Sequence, residues 1–289
     1  ENTACENYLY SITADDGQRI HDIDDAITRI EDTAAPLFQP LVSGEQLSDS
    51  QRYDFANFLA LMFVRTNFFR RLYAELYAHR RMSCDYFIAS DDSTFESHME
   101  GFQAARGKIS DEEKQKLRDL MLDPSGHILQ VSQEFTLKAL ECHGELVPLF
   151  YSMKWSILYA PSGVFFITSD NPLLQWVPPK HHHSFYGTGG FRNKYSEAIL
   201  TLSPTHCLVG HWQEDVPKVF EASTDRVEFT NELIAASAEK CLYSHIQSES
   251  LLTLAKQHAD SQRVIHMGGG PEKKAEITVV RHTHNKSKQ

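Results

Sequence analysis

Apolar and polar positions change rhythm about halfway along the chain. Up to about residue 153, apolar residues recur every three or four positions, the spacing of one helix face. Ile23, Ile27, Ile30, Ala34 and Leu37 mark a helix over 24–42, stopped by Ser43-Gly44. Ser48 or Asp49 can cap the next element. Its stripe of Phe55, Phe58, Leu59, Met62, Phe63, Phe69, Leu72, Tyr73, Leu76 and Tyr77 predicts one long helix reaching about Arg81. A stripe this wide and aromatic belongs in a core rather than around a cofactor. Residues 93–106 and 110–122 read as two further helices, the second opened by the capping box Ser110-x-x-Glu113. A last helix of this half runs over 127–153.

Beyond 153 the apolar runs shorten and turn residues separate them. Residues 155–160 and 163–168 read as a β-hairpin about Pro161-Ser162-Gly163. Residues 198–202 and 207–212 read as strands, 242–246 and 276–284 as short strands, and 229–240 and 249–262 as helices. A short strand over 8–12 opens the chain. Helices first and strands afterwards predict an α+β fold. A helical N-terminal half, about 20–153, packs on a mainly antiparallel sheet from the C-terminal half, about 154–284. No linker rich in Pro, Gly or Ser divides the 289 residues, so a single compact domain is expected.

Charge narrows the partners. The formal net charge is −11, against the basic face that broad nucleic-acid binding requires, and unfavourable for docking on an anionic membrane. Five cysteines, odd in number and without a C-x-x-C pair, read as reduced thiols in a cytoplasmic setting. No apolar run reaches the length of a membrane span, and the polar first residues predict no signal peptide.

Candidate chemistry concentrates at Ser169-Asp170-Asn171-Pro172, where an apolar run ends on a carboxylate. Asn171 precedes proline and is held extended. Asp170 in such a turn suits a general base, a metal ligand or a hydrogen-bonding anchor, and the plainer reading is a turn cap. Arg65 lies inside the apolar stripe and needs a partner if buried, and Asp170 is the first choice for it. His181 and His183 alternate along a segment and could share a divalent metal, as could His282 and His284, with Glu276 and Asp170 as carboxylate ligands. The plainer reading is a solvated loop. Gly187-Thr188-Gly189-Gly190 and Gly268-Gly269-Gly270 lack the strand-then-helix context of phosphate loops.

Arg65-Thr66 on its helix, Trp155 on a strand, Phe166-Ile167-Thr168-Ser169-Asp170-Asn171-Pro172, Leu202-Ser203-Pro204, and Asn231 on a helix leading to Tyr243-Ser244 together resemble a widespread microbial family. It is known as domain of unknown function 4238. The likeness runs over about 27–244. It departs at the start, where the His-x-x-Pro opening of family members has no counterpart, so a site built on that histidine would hold more residues than those named. The resemblance implies no established activity. It implies that Arg65 and the 169–172 turn belong to one central feature. The leading expectation is a hydrolase-type enzyme acting on a small or nucleotide-like substrate, with Asp170 as base or metal ligand, Arg65 as anion holder and Asn171 as a polar contact. The alternatives are a non-catalytic binding or regulatory protein, in which Arg65 and Asp170 form a structural ion pair, and an effector in microbial conflict.

Overall fold

The computed structural model describes residues 22–123, 133–183, 187–246 and 248–258, with strand backbone also at 12–13, 19–20, 263–267 and 275–279. Two compact units emerge: residues 1–68 with 140–289, and residues 69–139.

The first unit is built on a five-stranded sheet of β3 (Lys154–Tyr159), β5 (Leu173–Trp176), β6 (Glu197–Ser203), β7 (His206–His211) and β8 (Val219–Glu221). Its order is β5-β6-β7-β3-β8, antiparallel throughout except for the parallel edge pair β3 and β8. Strands β3, β5, β6 and β7 are buried on both faces, which explains why they read as apolar runs rather than clean alternation. Successive side chains still part to opposite faces. Ile157, Leu173, Ala198, Leu200 and Leu208 join one core, with Phe55, Leu59, Val147 and Phe150. Leu158, Leu174, Ile199, Cys207 and Val209 join the other, with Phe166, Ile167, Val227 and Ile234.

The first core is closed by α1 (Asp22–Ala34), a 3-10 turn (Ala35–Leu37), α2 (Phe38–Val42), α3 (Asp49–Val64) and α8 (His143–Ser152). Gly44 ends this run at φ +73°, a backbone conformation that favours glycine, and a Cβ there would lie 3.2 Å from the Val219 side chain. Ser48 caps α3 in a capping box with Gln51. Arg52 of α3 donates through Nε to the carbonyl of Tyr151 at 3.1 Å and also bonds that of Met153, with its guanidinium 4.1 Å from the Trp155 ring. That cation satisfies carbonyls left open at the end of α8 and ties them to the start of β3. The second core is closed by α9 (Thr224–Ser237), which buries Val227, Thr230, Asn231, Ile234 and Ala235.

The second unit holds most of α4 (Asn67–Ser90), with α5 (Asp92–Arg106) and α6 (Asp111–Leu122). Ala89, Phe95, Met99 and Met121 form its core. Asp91 caps α5 and Ser110 caps α6 through the expected box with Glu113. Arg118 donates to the Ala89 carbonyl at 2.9 Å while covering the Phe95 ring.

Helices in the first half and a mainly antiparallel sheet in the second make this an α+β protein, as expected. Several element boundaries differ. The helix expected over 24–42 is α1, the 3-10 turn and α2, and that expected over 127–153 contains α7 (Gln133–Glu141) and α8. The long helix to about Arg81 is two helices, because Arg65 caps α3 and Thr66 turns its hydroxyl onto the Phe63 carbonyl at 3.0 Å, where α4 starts anew. The 155–160 and 163–168 hairpin does not form. Strand β3 pairs with β7 instead, and only Thr168–Ser169 of the second run is a strand, β4, paired with β9 (Leu242–Tyr243). Helix α10 (Glu249–His258) follows β9. The two-stranded pairs β1 (Ile12–Thr13) with β2 (Arg19–Ile20) and β10 (Arg263–Met267) with β11 (Ala275–Val279) complete the strands of the described residues.

Candidate functional site

Phe166 and Ile167, at the end of the apolar run over 163–167, are buried yet outside a strand ladder, so their backbone needs other partners. Asn231 supplies them from α9: its Oδ1 accepts from Ile167 N at 3.0 Å and its Nδ2 donates to the Phe165 carbonyl at 2.8 Å. One amide thus imitates a neighbouring strand. Thr201 of β6 donates to the Ile167 carbonyl at 2.6 Å, and Phe166 N donates to the Pro204 carbonyl at 2.8 Å. The run is delivered to the 169–172 turn by side chains, not by a hairpin.

The turn is built as its residue types suggest. Ser169 is buried, accepts from Asn171 N at 3.1 Å and donates to the Asn171 carbonyl. Asn171 is buried too. Its Nδ2 donates to the Ser237 carbonyl at 3.2 Å, one of the open carbonyls at the end of α9, while its Oδ1 has no partner among the described residues.

Asp170 reaches across to the segment after α9. Its Oδ1 accepts from Glu239 N at 2.8 Å, and its Oδ2 accepts from Lys240 N at 2.7 Å and Cys241 N at 3.3 Å. Three successive N–H groups converge on one carboxylate, an anion nest. A carboxylate at a helix C-terminus is disfavoured by the helix dipole, and these three donors offset that. Asp170 N also donates to the Cys241 carbonyl at 3.2 Å, continuing the pairing of β4 with β9.

The ion pair expected between Arg65 and Asp170 does not form. Arg65 pairs with Glu31 of α1, both partly exposed, and the Asp170 oxygens are taken by backbone donors. A carboxylate already satisfied has no need of a guanidinium. The structure therefore brings together Asp170, Asn171, Ser169 and Asn231, and places Arg65 at a different contact.

Nor do His181 and His183 assemble a metal site with a carboxylate. Among the described residues no three His, Cys, Asp or Glu side chains are placed to hold a metal ion. The His181 ring is stacked on Tyr195 with centroids 3.4 Å apart and planes within 6°. The His183 backbone pairs with Gly187 in both directions. His282, His284 and Gly268-Gly269-Gly270 lie outside the described residues, as does the side chain of Glu276.

A buried Ser–His contact exists elsewhere. Ser156 Oγ lies 2.9 Å from His211 Nε2 and donates to the Pro217 carbonyl at 2.7 Å. His211 Nδ1 accepts from Gln213 N at 3.2 Å, which assigns the ring proton to Nε2. This imidazole donates to the serine and does not activate it. Burial holds the His211 pKa below its usual value, with Glu197 opposing and Lys154 assisting.

Beside the latch lies a groove of about 240 Å³ that sequence reasoning missed. Ile167, Leu242, Ile246, Leu251, Leu252 and Ala255 form its apolar lining, and Tyr243, Ser244 and Ser248 its hydroxyl-bearing part. Its signal was present as four apolar residues, Leu242, Ile246, Leu251 and Leu252, but their convergence depends on how β9 and α10 fold back. Tyr243, Ile246 and Leu252 are 38, 44 and 48% exposed, large apolar residues meeting at one place.

No curated protein and no solved structure matches the chain. The model of the family described as protein of unknown function (DUF4238) matches residues 1–248, which include the Asn231 clamp, the 169–172 turn and the N–H nest that holds Asp170. The chain belongs to that family.

Proposed function

We propose that this chain is a non-catalytic binding protein whose ligand is a small amphipathic molecule held in the groove of β9 and α10. The observation that carries this reading is the meeting of the exposed apolar residues Tyr243, Ile246 and Leu252 at one concavity. At about 240 Å³ the groove suits a compact ligand rather than a helix or a second protein surface. Its serine-bearing part suits an oxygenated head group. Asp170 then serves as a latch: the N–H groups it holds lead directly into Leu242 and Tyr243 of the groove wall.

The hydrolytic reading draws less support. Its proposed base already accepts three backbone hydrogen bonds, and its proposed anion holder is paired with Glu31. Four free cysteines among the described residues support a reducing, cytoplasmic setting. No helix of the described residues is long and apolar enough to cross a membrane.

Thermal-shift screening of the full chain with short-chain alcohols, fatty acids and nucleotides tests the reading. An amphipathic compound raises Tm, and Leu251→Glu, which places a charge in the groove, abolishes the rise. Turnover of a nucleotide or ester that disappears in Asp170→Asn while that variant stays folded would overturn it.

A further inference from the structure

A second, separate feature lies in the loop between β5 and β6. The described parts of this loop, 177–183 and 187–196, are held by hydrogen bonds. His182 Nε2 lies 2.9 Å from the Val177 carbonyl, and His181 N donates to the Pro178 carbonyl at 2.8 Å. Asn193 donates through Nδ2 to the Thr188 carbonyl at 2.8 Å and accepts from Tyr195 N at 3.0 Å. Gly189, at φ +70°, lies with its missing Cβ 3.8 Å from the Asn193 side chain. These bonds set His181 and Tyr195 face to face as a flat aromatic platform.

Two cations flank the platform. Lys194 Nζ lies 5.0 Å from the Tyr195 ring centroid, and Lys180 adjoins His181 in the chain. Among the described residues neither lysine has a carboxylate partner. In a chain of net charge −11, two unneutralised ammonium groups beside a stacked ring pair stand out from their surroundings. Partial burial and the charges of Lys180 and Lys194 hold the His181 pKa below its usual value.

We propose that His181, Tyr195, Lys180 and Lys194 bind a small ligand made of a planar ring and a phosphate. The ring adds to the stack of His181 and Tyr195, and the phosphate is held by Lys180 and Lys194. Aromatic platforms accept flat rings with little regard to their edge groups, and paired lysines hold phosphate as point charges. A bound phosphate also relieves the repulsion on His181, which then takes up a proton. The site is distinct from the groove of β9 and α10, and stands or falls without it.

Calorimetric titration of the full chain with adenosine monophosphate, inorganic phosphate and adenosine tests the proposal. The monophosphate binds at least tenfold more tightly than either fragment, and severalfold more tightly at pH 6 than at pH 8. The exposed pair Lys180→Gln and Lys194→Gln, combined, weakens it at least tenfold with Tm unchanged. Tyr195→Leu reduces the monophosphate to the affinity of inorganic phosphate. Absence of binding, equal binding of phosphate and monophosphate, or full binding by the double lysine variant would each overturn it.

Discussion

At the scale of single residues, Asp170 and Asn231 carry more structure than any charged pair of the described residues. The Asp170 carboxylate accepts three N–H groups from a segment about seventy residues further on. Charge-assisted bonds of this kind contribute roughly 1.5–3 kcal/mol each in isolation, less when shared. Asp170→Asn, which turns a donor toward one N–H, is expected to lower unfolding free energy by about 2 kcal/mol in urea titration. Arg65→Ala breaks a partly exposed pair and is expected to cost about 0–1 kcal/mol by the same measurement. Asn231→Ala leaves Ile167 N and the Phe165 carbonyl without a partner, an expected loss of about 2 kcal/mol or more.

His211 makes stability depend on pH. Its folded pKa lies below its ordinary value of 6.5, so the neutral ring is the form that the fold favours. That contribution is present above about 6.5 and is lost as pH falls through the window beneath it. Tm is therefore expected to fall between pH 7.5 and 5.5, and to fall less in His211→Gln, as scanning calorimetry can check.

At the scale of elements, the rhythm of apolar positions carried the helices and the central strands. The boundaries that moved did so for local reasons. Arg65-Thr66 stops a stripe that is apolar on both sides of it, and no glycine or proline marks the stop. The 163–168 run buries Phe166 and Ile167 as a strand would but takes its hydrogen bonds from Asn231, Thr201 and Pro204, residues far off in sequence. The 169–172 turn was legible because Ser, Asp, Asn and Pro each bear a turn signal. Its partners were not, because the donors to Asp170 are backbone groups and backbone carries no residue code. Glu31 was hidden for the opposite reason, as one of several acids in and around α1.

At the scale of the whole molecule, the two-faced burial of the sheet sets the accessibility of the thiols. Cys207 is fully buried in the second core, and burial pushes its pKa up to about 12. Cys84 is exposed on α4. With a thiol reagent at neutral pH, Cys84 is expected to react in the native protein and Cys207 only in denaturant, and peptide mass spectrometry distinguishes them. Labelling of Cys207 at the native rate of Cys84 would contradict the packing of β7 against α9.

The Asp170 latch also bears on how the chain is made. Synthesis proceeds from the N-terminus, so the strand run and its carboxylate are complete long before residues 239–241 exist. Until those residues leave the ribosome, Asp170 lacks its three N–H donors, and β4 has no β9 to pair with. A nascent chain halted before Thr224 would therefore display that apolar run to chaperones, and one released after Tyr243 would not.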